Sequence, residues 1–160
     1  MITKEQAKEK IKELIEKYED YKRDGKLDRI NEANTKSWFI EPLFEAIGWD
    51  FRSDDIFKEE KVLKGRVDYA FRLNGVTRLF LEAKPLAVDL EKYLKQAIEY
   101  GSHRGISWVI LTNFEELKVY NSEWNEKNLS RNIVFGIPYD RLLIEFDRLW
   151  MLSKESFKTN

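Results

Sequence analysis

Asn74-Gly75, flanked by Leu73 and Val76, constrains this chain more than any other feature. An Asn-Gly pair accepts the positive φ at both central positions that a two-residue hairpin turn demands, so the segments on either side must pair antiparallel. These segments, Gly65 to Phe71 and Leu79 to Lys84, read as strands. Val67, Tyr69 and Phe71 are expected on one face; on the return strand Glu82 and Lys84 share a side with Phe80, while Leu81 and Ala83 point into the opposite layer. Pairing brings Asp68 beside the Glu82 region. A carboxylate from each strand can hold a hard, oxygen-preferring ion such as Mg²⁺, which keeps several waters and takes phosphate oxygens as further ligands. Such an ion polarises a phosphoryl group and lowers the pKa of its water. Lys84 is placed to orient that water and to offset the negative charge that develops in the transition state. Phosphodiester hydrolysis by this route needs no nucleophilic side chain.

The rest of the composition narrows the chemistry. Cysteine is absent and His103 is the lone histidine, which excludes disulfides, thiolate zinc sites and polyhistidine metal centres, and argues against a Ser-His-Asp triad. Any metal must be held mostly by oxygen. With 160 residues, 42% of them hydrophobic, the chain is long enough for one globular unit with a real core. No run approaches a signal peptide or a membrane span, so a cytoplasmic setting and no membrane partner are expected. The net charge is −1, from 28 basic and 29 acidic residues, which counts against tight autonomous DNA binding. Locally the balance is basic: Lys58, Lys61, Lys64, Arg66, Arg72, Arg78 and Lys84 cluster around the hairpin, followed by Lys92, Lys95 and Arg104. Taken singly, these read as solvated faces, Lys84 excepted.

Helical periodicity over residues 3–23 places Ala7, Ile11, Leu14, Ile15, Tyr18 and Tyr21 on one stripe. After Asp24-Gly25-Lys26, Asn34 or Thr35 is expected to cap a second helix that carries Trp38, Phe39, Leu43, Phe44 and Ile47 and ends at Gly48, with Pro42 inside it. Ile56 to Leu63, Arg66 to Phe71 and Arg78 to Lys84 predict a three-stranded antiparallel meander. Val88 to Gly101 reads as a helix with Leu90, Tyr93, Leu94, Ala97 and Ile98 toward the core. Ile106 to Leu111 suits a buried strand, Leu117 to Tyr120 a short one, and Tyr139 to Leu152 a closing helix. Trp38, Trp108 and Trp150 fall on apolar stripes and are expected in the core; Trp124, in the polar stretch from Asn121 to Asn128, is expected at the surface. His103, just past a predicted helix end, reads as a partner for the last carbonyls.

Asp68, then Glu82-Ala83-Lys84, then Gln96-Ala97-Ile98-Glu99-Tyr100 resembles the PD-(D/E)xK nuclease superfamily, and the trailing Gln-x-x-x-Tyr resembles the branch with RecB-like nucleases. Further stretches are similar to the N-terminal nuclease domain of type I restriction R subunits and of single-chain restriction-modification enzymes: Asn31 to Thr35, Phe39 to Leu43, Ile47 to Asp50, Val67 to Ala70, Thr112-Asn113 before Leu117 to Tyr120, and Phe146 to Trp150. The similarity runs from about residue 30 to near the end. One departure is Val67, where the superfamily often has proline before the aspartate.

The resemblance implies an α/β fold with a restriction-endonuclease-like core, a mixed β-sheet flanked by helices. It implies one nuclease domain over 1–160, with an N-terminal helix over 1–23 and the nuclease core over 30–152. Asp68 and Glu82 would bind the metal, Lys84 would serve at the attacking water, and Gln96 and Tyr100, one helical turn apart, would support the site. An acidic residue on the helix before the sheet often joins such sites; Glu32 fits by position and Glu41 is the rival. The implied activity is Mg²⁺-dependent DNA endonuclease cleavage, with Mn²⁺ as a substitute, in a restriction-modification system. Implied partners are double-stranded DNA and methyltransferase, specificity or motor domains or subunits, with a dimer on DNA for two-strand cleavage. Residues 152–157 resemble the start of a connector. The competing expectation is a catalytically inactive nuclease-fold module that binds DNA or a protein partner.

Overall fold

The computed structural model describes residues 1–159. Six strands form one sheet in chain order: β1 (Ile56–Val62), β2 (Gly65–Leu73), β3 (Val76–Ala83), β4 (Trp108–Thr112), β5 (Glu116–Asn121) and β6 (Ile133–Pro138). All neighbours are antiparallel except β3 and β4, which run parallel, so the sheet is two meanders joined at one parallel seam. The hairpin turn between β2 and β3 is as expected. Asn74 and Gly75 both take positive φ (52° and 79°), and Leu73 pairs with Val76.

A parallel joint needs a crossover, and α4 (Leu94–Arg104) supplies it, lying on one face of the sheet. Its Leu94, Ala97 and Ile98 pack on Val109, Leu111 and Tyr120. The opposite face is covered by α1 (Lys4–Arg23) and by the helical segment α2 (Glu32–Thr35), a π-helical turn (Lys36–Ile40) and α3 (Glu41–Ala46). Also on this side are α5 (Phe146–Trp150) and α6 (Lys154–Thr159). Alternation along the strands sorts the side chains: Leu79, Leu81 and Ala83 join Ile110 and Val119 under α1 and α3, while Phe80 faces the other way. No helix among the described residues is long and apolar enough to cross a membrane.

Several local expectations are corrected. The second helix is capped by Asn31, whose Oδ1 accepts the Asn34 N–H at 2.8 Å, rather than by Asn34 or Thr35. Pro42 does not break the helix, because the π turn directly precedes it; the Trp38 carbonyl, which proline cannot serve, accepts from Lys17 Nζ at 3.4 Å. The helix read from Val88 is a 3₁₀ turn over Leu90–Tyr93, capped by Asp89, followed by α4. The predicted Tyr139 to Leu152 helix is split into a 3₁₀ turn (Tyr139–Arg141) and α5. Val67 leaves the face of Tyr69 and Phe71 and packs with Val62, Ala70, Phe80 and Tyr100. The β1–β2 ladder skips Asp68, opposite Glu59 with its φ of +58°, and the alternation breaks there.

Trp38 is 36% exposed, stacked on Tyr21 with the Lys17 ammonium over its ring, and so lies at the edge of the core rather than in it. Trp108 and Trp150 are only partly buried. The fully enclosed tryptophan is Trp49, which donates its indole N–H to the Leu152 carbonyl at 2.9 Å. Trp124 is 45% exposed, as expected. Residues 152–157, read as the start of a connector, are packed against the domain: Phe157 is buried against Trp49, and Lys154 binds Asp55 at 2.7 Å. Trp49→Phe leaves the buried Leu152 carbonyl without its donor, and is expected to cost roughly 1–3 kcal/mol in urea unfolding.

Candidate active site

The site forms where β2 and β3 part company. Their ladder begins at Tyr69 and Leu81, and one step beyond it side chains take over the bonding. Glu82 Oε1 accepts the Asp68 backbone N–H at 2.9 Å, and Asp68 Oδ2 accepts the Ala83 backbone N–H at 2.8 Å. Each carboxylate is therefore fixed by the other residue's strand, which orients both without any flexible tether. The second oxygen of each faces an ammonium. Lys84 Nζ lies 3.3 Å from Glu82 Oε2, and Lys36 Nζ lies 3.2 Å from Asp68 Oδ1.

All four side chains are largely withdrawn from water, at 6% exposure for Glu82, 13% for Lys84, 14% for Asp68 and 18% for Lys36. Burial, followed by the charge of Asp68, pushes the Glu82 carboxyl up to about 7, against the opposing pull of the Asp68 N–H and Lys84. For the Lys36 ammonium, burial pulls downward, but the charge and hydrogen bond of Asp68, helped by Glu32 and Glu59, outweigh it and raise its pKa. The Lys84 ammonium also sits 4.2 Å from the centre of the Tyr93 ring. A cation held between a carboxylate and an aromatic face has little freedom to wander.

Tyr100 is buried at the same end of the sheet, and both burial and the Glu82 charge raise its hydroxyl pKa. Its hydroxyl rests on Gly65, where a Cβ would lie only 1.8 Å from the oxygen, so glycine is required at that strand start. Gln96 is exposed one turn earlier and lines an open cleft with Tyr100. Among the described residues it makes no hydrogen bond to Asp68, Glu82 or Lys84. The two rival glutamates diverge. Glu41 accepts from Tyr69 Oη at 2.6 Å and pairs with Lys58 at 3.5 Å, whereas the charge of Glu32 acts on Lys36. His103 is exposed in the last turn of α4.

Sequence reasoning missed Lys36, and it missed the second role of Tyr93, which packs on the core as expected and also seats the Lys84 ammonium. Lys36 carried a signal: it lies one turn before Phe39 and Ile40, a lone cation leading into a buried stripe. Among the described residues no three His, Cys, Asp or Glu side chains gather as a ready-made metal cage. The donor set nonetheless suits a hard ion: two carboxylates supply oxygen, and each already balances a cation with the oxygen that its backbone bond leaves free.

The raised Glu82 pKa means that the folded, metal-free chain binds this proton more tightly than the unfolded chain. Stability therefore falls as pH rises from about 4.5 through about 7. Glu82→Gln removes this slope. Denaturant titrations without metal are expected to match wild type near pH 4.5 and to exceed it at pH 8 by on the order of 1–3 kcal/mol.

No family model matches the chain. The type II restriction enzyme and methyltransferase RM.Eco57I of Escherichia coli is 31% identical over 135 residues, which cover 71% of this chain and 13% of that protein. The type IIG restriction endonuclease BpuSI matches with a TM-score of 0.54 at 19% identity, over 76% of this chain and 17% of its own. DrdV, solved by cryo-electron microscopy in complex with DNA, matches with a TM-score of 0.59 at 14% identity, over 91% and 14% of the two chains. A fragment assigned as an HsdR subunit of a type I restriction enzyme from Vibrio vulnificus gives a TM-score of 0.50 at 22% identity, over 74% and 25%. The sequence relative is a restriction enzyme, and the six-stranded mixed sheet with its flanking helices has the restriction-endonuclease-like fold.

Proposed function

We propose that the chain is a Mg²⁺-dependent endodeoxyribonuclease domain of the PD-(D/E)xK type, working in a cytoplasmic restriction-modification system. The observation that carries this reading is the reciprocal bonding of Asp68 and Glu82 to each other's strands, with Lys84 3.3 Å from Glu82. Asp68 and Glu82 would hold the ion. A divalent ion there supplies Lewis-acid polarisation of the scissile phosphate and a more acidic water. Lys84, steadied by Tyr93, donates toward the attacking water and stabilises charge that builds on the phosphate oxygens. Tyr100 closes the site against Gly65, and Gln96 stands at its outer edge.

DNA as substrate is supported by the cleft that leads to Tyr100. It is open, about 680 Å³, and Lys64, Lys92 and Lys95 line it, with Glu99 as the one opposing charge. A local surplus of ammonium groups in the cleft that Tyr100 lines suits a phosphodiester backbone, even though the chain as a whole carries a net charge of −1. The likeness to RM.Eco57I, which joins restriction to methylation, supports methyltransferase or specificity regions as partners for target choice.

Supercoiled plasmid incubated with the purified chain and Mg²⁺ or Mn²⁺ tests the reading. Nicking or linearisation is expected, with a loss of roughly 10²-fold or more in both Lys84→Ala and Asp68→Ala. Cleavage that survives both substitutions, or a chain that neither cuts nor binds Mn²⁺, overturns it. Cutting both strands calls for two sites, so sedimentation of Lys84→Ala with duplex and Mg²⁺ is expected to show two copies per duplex; one copy only would reject dimeric cleavage.

A further inference from the structure

We propose that Lys36 is a built-in counter-ion: in the metal-free protein it occupies the charge position at Asp68 that a divalent cation takes over, so that metal entry requires the lysine to let go. The inference rests on the reading of Asp68 and Glu82 as metal ligands and adds a residue and a step to it.

The geometry singles out Lys36. Two carboxylates packed at the end of a hairpin repel each other, and two lysines neutralise them one for one. The lysines differ in how they are held. Lys84 directly follows the strand that carries Glu82, its backbone N–H bonds the Thr112 carbonyl at 2.9 Å, and its ammonium is seated on Tyr93. Lys36 arrives from outside the sheet. It starts the π-helical turn, where the bond from the Glu41 N–H to the Lys36 carbonyl spans five residues. The extra residue in that turn shifts the phase of the helix, so Lys36 reaches Asp68 while Phe39, Ile40 and Leu43 stay in the core.

Lys36 also has somewhere to go. Glu32, one turn earlier on the same helical segment, and Glu59 on β1 both attract its ammonium. Asp68 Oδ2 is committed to the Ala83 N–H, so Oδ1, the oxygen that Lys36 holds, is the one to be exchanged. Lysine suits exchange better than arginine here, because its ammonium is a compact point charge on a flexible stem rather than a bidentate fork.

The test is isothermal titration of Mn²⁺ into metal-free wild type, Lys36→Met and Lys36→Gln, the glutamine keeping a donor for Asp68 so that the outcome does not depend on one variant folding. Lys58→Met removes a nearby charge that pairs with Glu41 instead of Asp68. Both Lys36 variants are expected to bind Mn²⁺ about tenfold more tightly, while Lys58→Met shifts the Kd less than about twofold. Thermal melts without metal are expected to drop in Lys36→Met and to recover toward wild type in saturating Mn²⁺. An unchanged or weaker Kd in the Lys36 variants, or an equal tightening in Lys58→Met, overturns the proposal while leaving the metal site standing. Absence of Mn²⁺ binding in wild type and variants alike overturns the metal site with it.

Discussion

The exchange of hydrogen bonds between Asp68 and Glu82 is the interaction on which the rest of the site depends. Two buried carboxylates side by side are unfavourable, and the backbone N–H groups of Asp68 and Ala83 make the arrangement tolerable. These N–H groups are free because the β2–β3 ladder stops at Tyr69 and Leu81. The parting of the strands thus leaves donors in need of partners just where the chain places acceptors, and one defect repairs the other. Burial, and after it the remaining repulsion from Asp68, raise the Glu82 pKa, and two lysines are drawn to the carboxylates.

The surrounding architecture keeps that corner rigid. Phe80, Ala70, Val67 and Tyr100 fill the layer beneath the carboxylates, and the Tyr100 hydroxyl fits only because Gly65 has no side chain. Tyr93 lies against Lys84 from the crossover segment that carries Gln96. The supports come from β2, β3 and the crossover segment, so the positions of the charged groups are set by packing on several sides and not by local sequence alone.

Much of this was legible in the sequence, because it depends on strand alternation and on one turn. Asn74-Gly75 closes the hairpin and the period of two puts Glu82 and Phe80 on a common face with Leu81 and Ala83 behind, while a one-residue shift between Phe71 and Arg72, which the turn does not foretell, brings Asp68 opposite Glu82. What failed to show depended on breaks in periodicity. The β1–β2 ladder breaks at Glu59 and Asp68, where Val67 leaves the face of Tyr69, and the π turn redirects Lys36; both are one-residue irregularities that no regular period reveals. The split of Tyr139 to Leu152 has a similar origin, since apolar residues at helical spacing also suit a series of short turns laid on a core. Trp49, which the sequence left unplaced, is the enclosed tryptophan for a tertiary reason: its indole N–H finds the Leu152 carbonyl more than a hundred residues away.

The sheet's one parallel joint divides the candidate site in an unequal way. β1, β2 and β3 close on one another through short turns, and β4, β5 and β6 pair in chain order, the last two across the longer segment 122–132, so each half is knit by neighbours in the chain. Asp68 and Glu82 both belong to the first half, but the Lys84 N–H is pinned across the divide to Thr112. If the two halves loosen along that line, the carboxylates stay together while the lysine loses its anchor. The joint would then govern how firmly the lysine's backbone is held, while the carboxylate pair stays assembled whether or not both halves of the sheet are docked.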